Sequence, residues 1–189
     1  TRRSSDLWSI TEINKHLTCE KVIGDLNSYT KYGGGTDKTL EQYKKPAKTK
    51  FQKAMRRVSG TTTKGSTMNT KIPAHQEKTQ KRFKKFLEGE TVESLKGTDL
   101  ETKKHSQRAL VANKFTKMTV VSIPDDYVHY DINMPRTFSV RECARLQTFP
   151  DHWEFAGGSS QQYKQIGNAV PVNLGYYVGQ ALVKALNPS

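Results

Sequence analysis

Apolar residues recur most regularly at the end of the chain. Leu174, Tyr177, Val178, Ala181, Leu182, Ala185 and Leu186 follow one another at helical separations. This pattern predicts an amphipathic helix over 174–186, packed on a body. Upstream, Ser139-Val140-Arg141-Glu142 has the form of a capping box, with Ser139 as N-cap and Glu142 three residues on. The helix it opens should bury Val140, Cys143, Ala144 and the stem of Gln147, and end at Phe149-Pro150-Asp151. His75 to Leu87 also reads as a helix, with Phe83, Phe86 and Leu87 on one side, and Leu95 and Leu100 continue that compact region. A shorter helix is predicted within Leu17 to Leu26, around Val22, Ile23 and Leu26. Met118 to Ile123 is rich in β-branched residues and predicts a strand. A turn at Pro124-Asp125-Asp126 follows, then a second short strand over Tyr127 to Ile132. Gly33-Gly34-Gly35 and the stretch Gly60 to Gly65 read as loops. The three consecutive glycines do not fit a phosphate-binding loop, because they lack the G-x-G-x-x-G pattern and no strong strand precedes them.

Composition complicates this picture. The chain has 189 residues, yet only 34% are hydrophobic and the mean hydropathy is −0.76. Part of it is therefore loosely ordered, or it shares a core with something else. Net charge is +13, and its distribution is uneven. Gln42 to Phe86 holds fourteen basic residues and one acidic residue, Glu77, whereas the remainder is balanced. A neutral body with one concentrated basic segment is the footprint of polyanion binding. Phe51, Met55, Phe83 and Phe86 interrupt the basic run, which favours a folded segment over a solvated linker. Arg56, Arg57, Lys64, Asn69 and Lys71 are candidates for phosphate and major-groove contacts.

The two cysteines, Cys19 and Cys143, are far apart, and neither has a Cys or His neighbour at metal-ligand spacing. No metal site and no disulfide framework are expected, which fits a cytoplasmic protein. No apolar run reaches membrane-spanning length, and the N-terminus lacks a signal-peptide pattern.

Two longer stretches carry a resemblance. Arg136-Thr137-Phe138-Ser139-Val140-Arg141-Glu142-Cys143-Ala144-Arg145-Leu146-Gln147-Thr148-Phe149-Pro150-Asp151 is similar to motif IX of the cytosine-5 DNA methyltransferases. Tyr163-Lys164-Gln165-Ile166-Gly167-Asn168-Ala169-Val170-Pro171 is similar to motif X, and the order and spacing also fit. Weaker likenesses lie upstream. Val22-Ile23-Gly24-Asp25-Leu26 resembles a segment that follows motif VIII, and Thr119-Val120 a pair in the target-recognition region.

The resemblance implies an α/β fold: a small target-recognition domain plus C-terminal helices that complete a Rossmann-like methyltransferase domain. Residues 1–26 would follow motif VIII, 27–135 would form the DNA-binding domain, and 136–189 would pack on the catalytic domain. It implies S-adenosylmethionine as cofactor, with Asn168, Ala169 and Val170 near it; otherwise Gly167-Asn168 is a turn before a helix. It gives Arg141 and Arg145 the task of clamping phosphate or bracing loops, with a buried carboxylate brace as the other reading of Arg141. Thr119 becomes a phosphate-backbone contact or an ordinary strand residue.

The family's chemistry needs a Pro-Cys nucleophile and a Glu-Asn-Val motif, and neither occurs in the sequence. No Phe-x-Gly-x-Gly motif occurs either. Cys19 follows Thr18, and Cys143 lies inside the motif IX helix. No catalytic residue is assigned. The expectation is a chain inactive alone, joined to a catalytic N-terminal methyltransferase chain as a heterodimer on double-stranded DNA, as in restriction-modification. It would reside in the cytoplasm or wherever DNA is. The competing expectations are a non-catalytic DNA-binding or regulatory module derived from this family, and a generic basic nucleic-acid-binding protein. The cofactor-side motif X argues against the last.

Overall fold

The computed structural model describes residues 17–26, 40–58, 61–62, 65–102, 108–109 and 127–187. The expected strand at 118–123, the turn after it, the triple-glycine loop, Lys64 and Thr119 lie outside these residues.

Helix α1 (Cys19–Ile23) starts where the Thr18 hydroxyl accepts a hydrogen bond from Lys21 N, and it buries Cys19, Val22 and Ile23. Helix α2 (Lys50–Met55) is opened by a full capping box between Thr49 and Gln52, and it buries Phe51, Gln52 and Met55. Helix α3 (Glu77–Leu87) begins two residues after the predicted start and buries Phe83 and Phe86. Helices α4 (Val140–Leu146), α5 (Ser159–Asn168) and α6 (Val172–Leu186) complete the set. Among the described residues the strands are short ladders. β1 (Glu41–Gln42) pairs antiparallel with β4 (Ser66–Thr67), and β2 (Arg57–Val58) with β3 (Thr61–Thr62). β5 (Arg108–Ala109) runs parallel to β6 (Tyr127–Val128).

The predicted strand at 127–132 therefore stops after two residues. His129 N donates to Arg136 O, Asp131 N donates to His129 Nδ1 at 3.1 Å, and Met134 N closes back on Asp131 O. These bonds turn the chain out of the ladder.

One apolar cluster holds most of the fold together. Val22, Ile23 and Leu26 meet Phe51 and Met55, then Phe138, Cys143, Leu146, Phe149, Tyr163 and Ile166. It draws on all three expected segments of the chain. A second cluster joins Phe83, Phe86 and Leu95 to Val128.

Helix α4 follows its prediction closely. Ser139 Oγ accepts from Glu142 N at 3.2 Å, and Glu142 Oε2 accepts from Ser139 N at 2.7 Å. Val140, Cys143, Ala144 and Gln147 are buried as expected. The helix ends earlier than Phe149, because Thr148 takes φ +61. Such a backbone is costly for a β-branched residue. The Thr148 hydroxyl accepts from Asn173 N at 2.9 Å, tying the strained turn to the start of α6.

Helix α6 also forms where the period predicts, but it does not lie on the body. Of its fifteen residues only Asn173 is buried. Leu174, Val178 and Leu182 are more than half exposed, at 52%, 51% and 57%, and Leu186 is 79% exposed.

Candidate nucleic-acid interface

Arg141 and Arg145 were candidates to reach phosphate. Both are fully buried, on the inner side of α4. Arg141 donates from Nε to Met68 O at 3.0 Å, from Nη1 to Pro150 O at 3.1 Å, and from Nη2 to Trp153 O at 2.8 Å. Its Nη2 also reaches Asn69 Oδ1 at 3.1 Å. These acceptors are neutral, so the brace is made of carbonyls rather than a carboxylate. Burial pulls the Arg141 guanidinium below its usual range, against the attraction of nearby Asp151.

Arg145 lies between two carboxylates. Its Nε donates to Asp151 Oδ1 at 2.7 Å, its Nη2 to Asp25 Oδ2 at 3.2 Å, and its Nη1 to Val22 O at 3.1 Å. Burial disfavours this charge, but Asp151 and Asp25 outweigh it and hold the guanidinium above its usual range. Asp151 is pushed up by burial and pulled down further by Arg145, with a net fall. Arg145 engages all five of its donors inside the fold and Arg141 four of five, and both are fully buried, so neither presents a donor to DNA. The phosphate role of Arg141 and Arg145 is therefore corrected to bracing.

Arg56 is corrected in the same way. It is 7% exposed. Its Nε donates to Asp25 Oδ2 at 3.0 Å, its Nη2 to Lys45 O at 2.8 Å, and its guanidinium sits 3.6 Å from the centre of the Tyr43 ring. Tyr43 in turn donates its hydroxyl to Asp151. Asp25 thus joins Arg56 to Arg145, and Asp151 joins Arg145 to Tyr43. Asn69 is also internal: it is 4% exposed, adopts φ +63, and its Nδ2 donates to Gln162 Oε1 at 3.3 Å. Asn is among the residues that tolerate this backbone. Arg57 is exposed and Lys71 half-exposed, so both remain on the surface.

A second buried centre stabilises the start of α4. Glu142 accepts from Arg136 Nη1 and Nη2 at 2.7 and 2.8 Å, and lies 3.5 Å from His129 Nε2. Burial raises the Glu142 carboxyl, but Arg136 and then His129 hold it well below the usual carboxylate range.

Sequence reasoning missed Asp25 as the acid that ties α1 to α2 and α4. A signal was present, since a carboxylate inside the apolar run Val22-Ile23-Gly24-Asp25-Leu26 needs a buried cation. Cys19 and Cys143 are both fully buried, and burial pushes the Cys143 thiol well above its usual value. No group of metal-ligating side chains occurs among the described residues.

The presumed cofactor-side residues occupy the bend between α5 and α6. Asn168 is exposed, Ala169 half-buried, and Val170 is 62% exposed. Val172 N donates to Gln147 O at 3.2 Å, so this bend is anchored directly on the end of α4.

Comparison with known proteins places these features in a context. The family model described as C-5 cytosine-specific DNA methylase matches residues 7–184. The type II methyltransferase M.Sau96I of Staphylococcus aureus is 65% identical over 52 residues, 28% of this chain and 12% of that protein. M.Eco47II of Escherichia coli, also a type II methyltransferase, is 60% identical over 52 residues, with the same coverage of 28% and 12%. DNA (cytosine-5)-methyltransferase 2 of Arabidopsis thaliana is 51% identical over 51 residues, 27% of this chain and 3% of that protein. In structure, the chain is similar to a DNA modification methyltransferase encoded within an E. coli prophage, with a TM-score of 0.65 at 23% identity. That likeness covers 90% of this chain and 47% of the other, and it concerns the fold.

Proposed function

The chain belongs to the C-5 cytosine-specific DNA methylase family, and on that premise we propose that it is the DNA-recognition and cofactor-site-completing part of a DNA (cytosine-5)-methyltransferase. In this reading, 27–135 is the recognition domain, 136–189 returns to the catalytic domain, and 1–26 links the two. The catalytic half, with its Pro-Cys and Glu-Asn-Val motifs, is contributed by another polypeptide segment.

The observation that carries the proposal is α6. Leu174, Val178, Leu182 and Leu186 expose a row of apolar side chains on a helix fixed to the body at its first turn. A contiguous apolar surface of this kind marks an interface. The burial of both cysteines supports the same division, because it leaves the described residues without an accessible thiol.

S-adenosylmethionine supplies the methyl group in this chemistry. Asn168, Ala169 and Val170 fit one edge of its site: the bend presents an amide beside an apolar surface, next to the helix that meets the catalytic half. The chain's own part is to present this edge and to hold the recognition region rigid through Arg141 and Arg145.

Methyl transfer to duplex DNA tests the proposal. The chain mixed with a candidate catalytic polypeptide should transfer methyl groups to cytosine, and the chain alone should not. Activity from the chain alone overturns the reading.

A further inference from the structure

Among the described residues, every buried cation of the basic segment is an arginine. Its buried arginines, Arg56 and Arg82, are used inside the fold, Arg82 donating to the carbonyls of Leu100 and Glu101 at 2.7 and 3.2 Å. Its described lysines are exposed, apart from the half-exposed Lys71. Three lysines, two of them from this segment, line a concave notch between α1 and the start of α2, about 310 Å³ in volume. They are Lys21, Lys45 and Lys48, with Asp25 and Gln52 also lining the notch and Glu20 at its side.

The backbone under each lysine is pinned by a side chain. Thr49 Oγ1 donates to Lys21 O at 2.8 Å, Arg56 Nη2 to Lys45 O at 2.8 Å, and Lys48 N to Gln52 Oε1 at 2.8 Å. Asp25 does not neutralise the lysines, because Arg56 and Arg145 engage both of its oxygens. Among the described residues, none of the three ammonium groups has a carboxylate partner. Glu20 is the other carboxylate at the notch, and it is exposed. A concave surface with unpaired cations on a pinned backbone focuses positive potential on an approaching polyanion.

We propose that this notch seats the sugar–phosphate backbone of duplex DNA, with Lys21, Lys45 and Lys48 as its phosphate contacts. The proposal rests on the DNA-acting reading above and adds a site to it. Such contacts position the duplex and carry no sequence information. They should therefore affect affinity equally on cognate and unrelated DNA.

The test is duplex binding by the 189-residue chain, measured by fluorescence anisotropy across a salt series. Each lost phosphate contact should lower the log–log salt slope by about 0.9 and weaken binding about eightfold at 0.1 M salt. K45Q/K48Q should show this on both kinds of DNA, with an unchanged thermal midpoint. E20Q should tighten binding. The control K78Q/K84Q, on exposed positions of α3, should lower the slope less. An unchanged slope in K45Q/K48Q, or an equal drop in the α3 control, overturns the notch and leaves the methyltransferase reading standing. A wild-type chain with no affinity for DNA overturns both.

Discussion

Helices α4 and α6 reverse the usual relation between polarity and burial. Helix α4 contains Arg141, Glu142 and Arg145 in seven residues, and all seven are buried. Helix α6 has one cation, Lys184, in fifteen residues, and buries only Asn173. The difference teaches that burial follows the partners a side chain finds. Each charge of α4 has a set of acceptors or donors in place, which removes most of the cost of leaving water. The apolar residues of α6 need a matching surface, and the described residues of the body do not supply one.

The largest expected effect comes from breaking the polar side of this contrast. Arg145→Ala would leave the buried Asp151 without a cation and Asp25 with Arg56 alone, at a cost of about 3–5 kcal/mol. Urea unfolding followed by circular dichroism should show most of the cooperative transition lost. A cost under about 1 kcal/mol would mean the ion network is dispensable.

The apolar side should respond in the opposite way. V178D/L182D should change the stability of the isolated chain by no more than about 0.5 kcal/mol, as at other exposed positions. It should weaken association with the proposed catalytic half by about 2 kcal/mol or more, readable by calorimetry. A double variant that unfolds the isolated chain would show that α6 packs on the body after all.

A pH series sharpens the account of buried polarity. Burial lowers the His129 pKa despite the pull of Glu142, while Arg136 and Asp131 also face the ring. The unfolded chain therefore takes up a proton near pH 6.5 that the folded chain refuses until lower pH. Stability should be full above that value and decline as pH falls below it. His129→Gln should flatten this limb. Glu142 and Asp151 have depressed folded values, so their contribution is present above about pH 4 and lost as pH falls through the folded values. Wild-type stability that stays flat from pH 8 to 5 would contradict a neutral buried imidazole.

The smallest effect concerns the cap. Ser139→Ala removes one arm of the box and should cost about 1 kcal/mol, seen as a shifted urea midpoint with unchanged cooperativity.

Local features were the legible ones. The capping box at Ser139, the helix around Phe83 and Phe86 and the period of α6 depend on neighbours a few residues away, and the pattern exposes such relations directly. The strand predicted at 127–132 failed because Asp131 and Arg136 bond to His129 across a turn, which alternation in a sequence does not reveal. The candidate DNA contacts divided for a similar reason. Arg56 and Lys45 look alike as cations in one basic run, but Arg56 offers a planar fork that fits Asp25 and the Tyr43 face. Lys45 contributes its carbonyl to that arrangement and leaves its ammonium in solvent.

The sequence by itself determined the family, through two motifs, and the concentration of positive charge ahead of them. It also determined where α3, α4 and α6 form, because helix period and capping are short-range. Only the tertiary structure decided which charges are internal. Asp25 and Arg145 are 120 residues apart in sequence and meet through the packing of α1 on α4. The same packing exposes α6, since a helix face is buried only when a surface of the right shape lies opposite it.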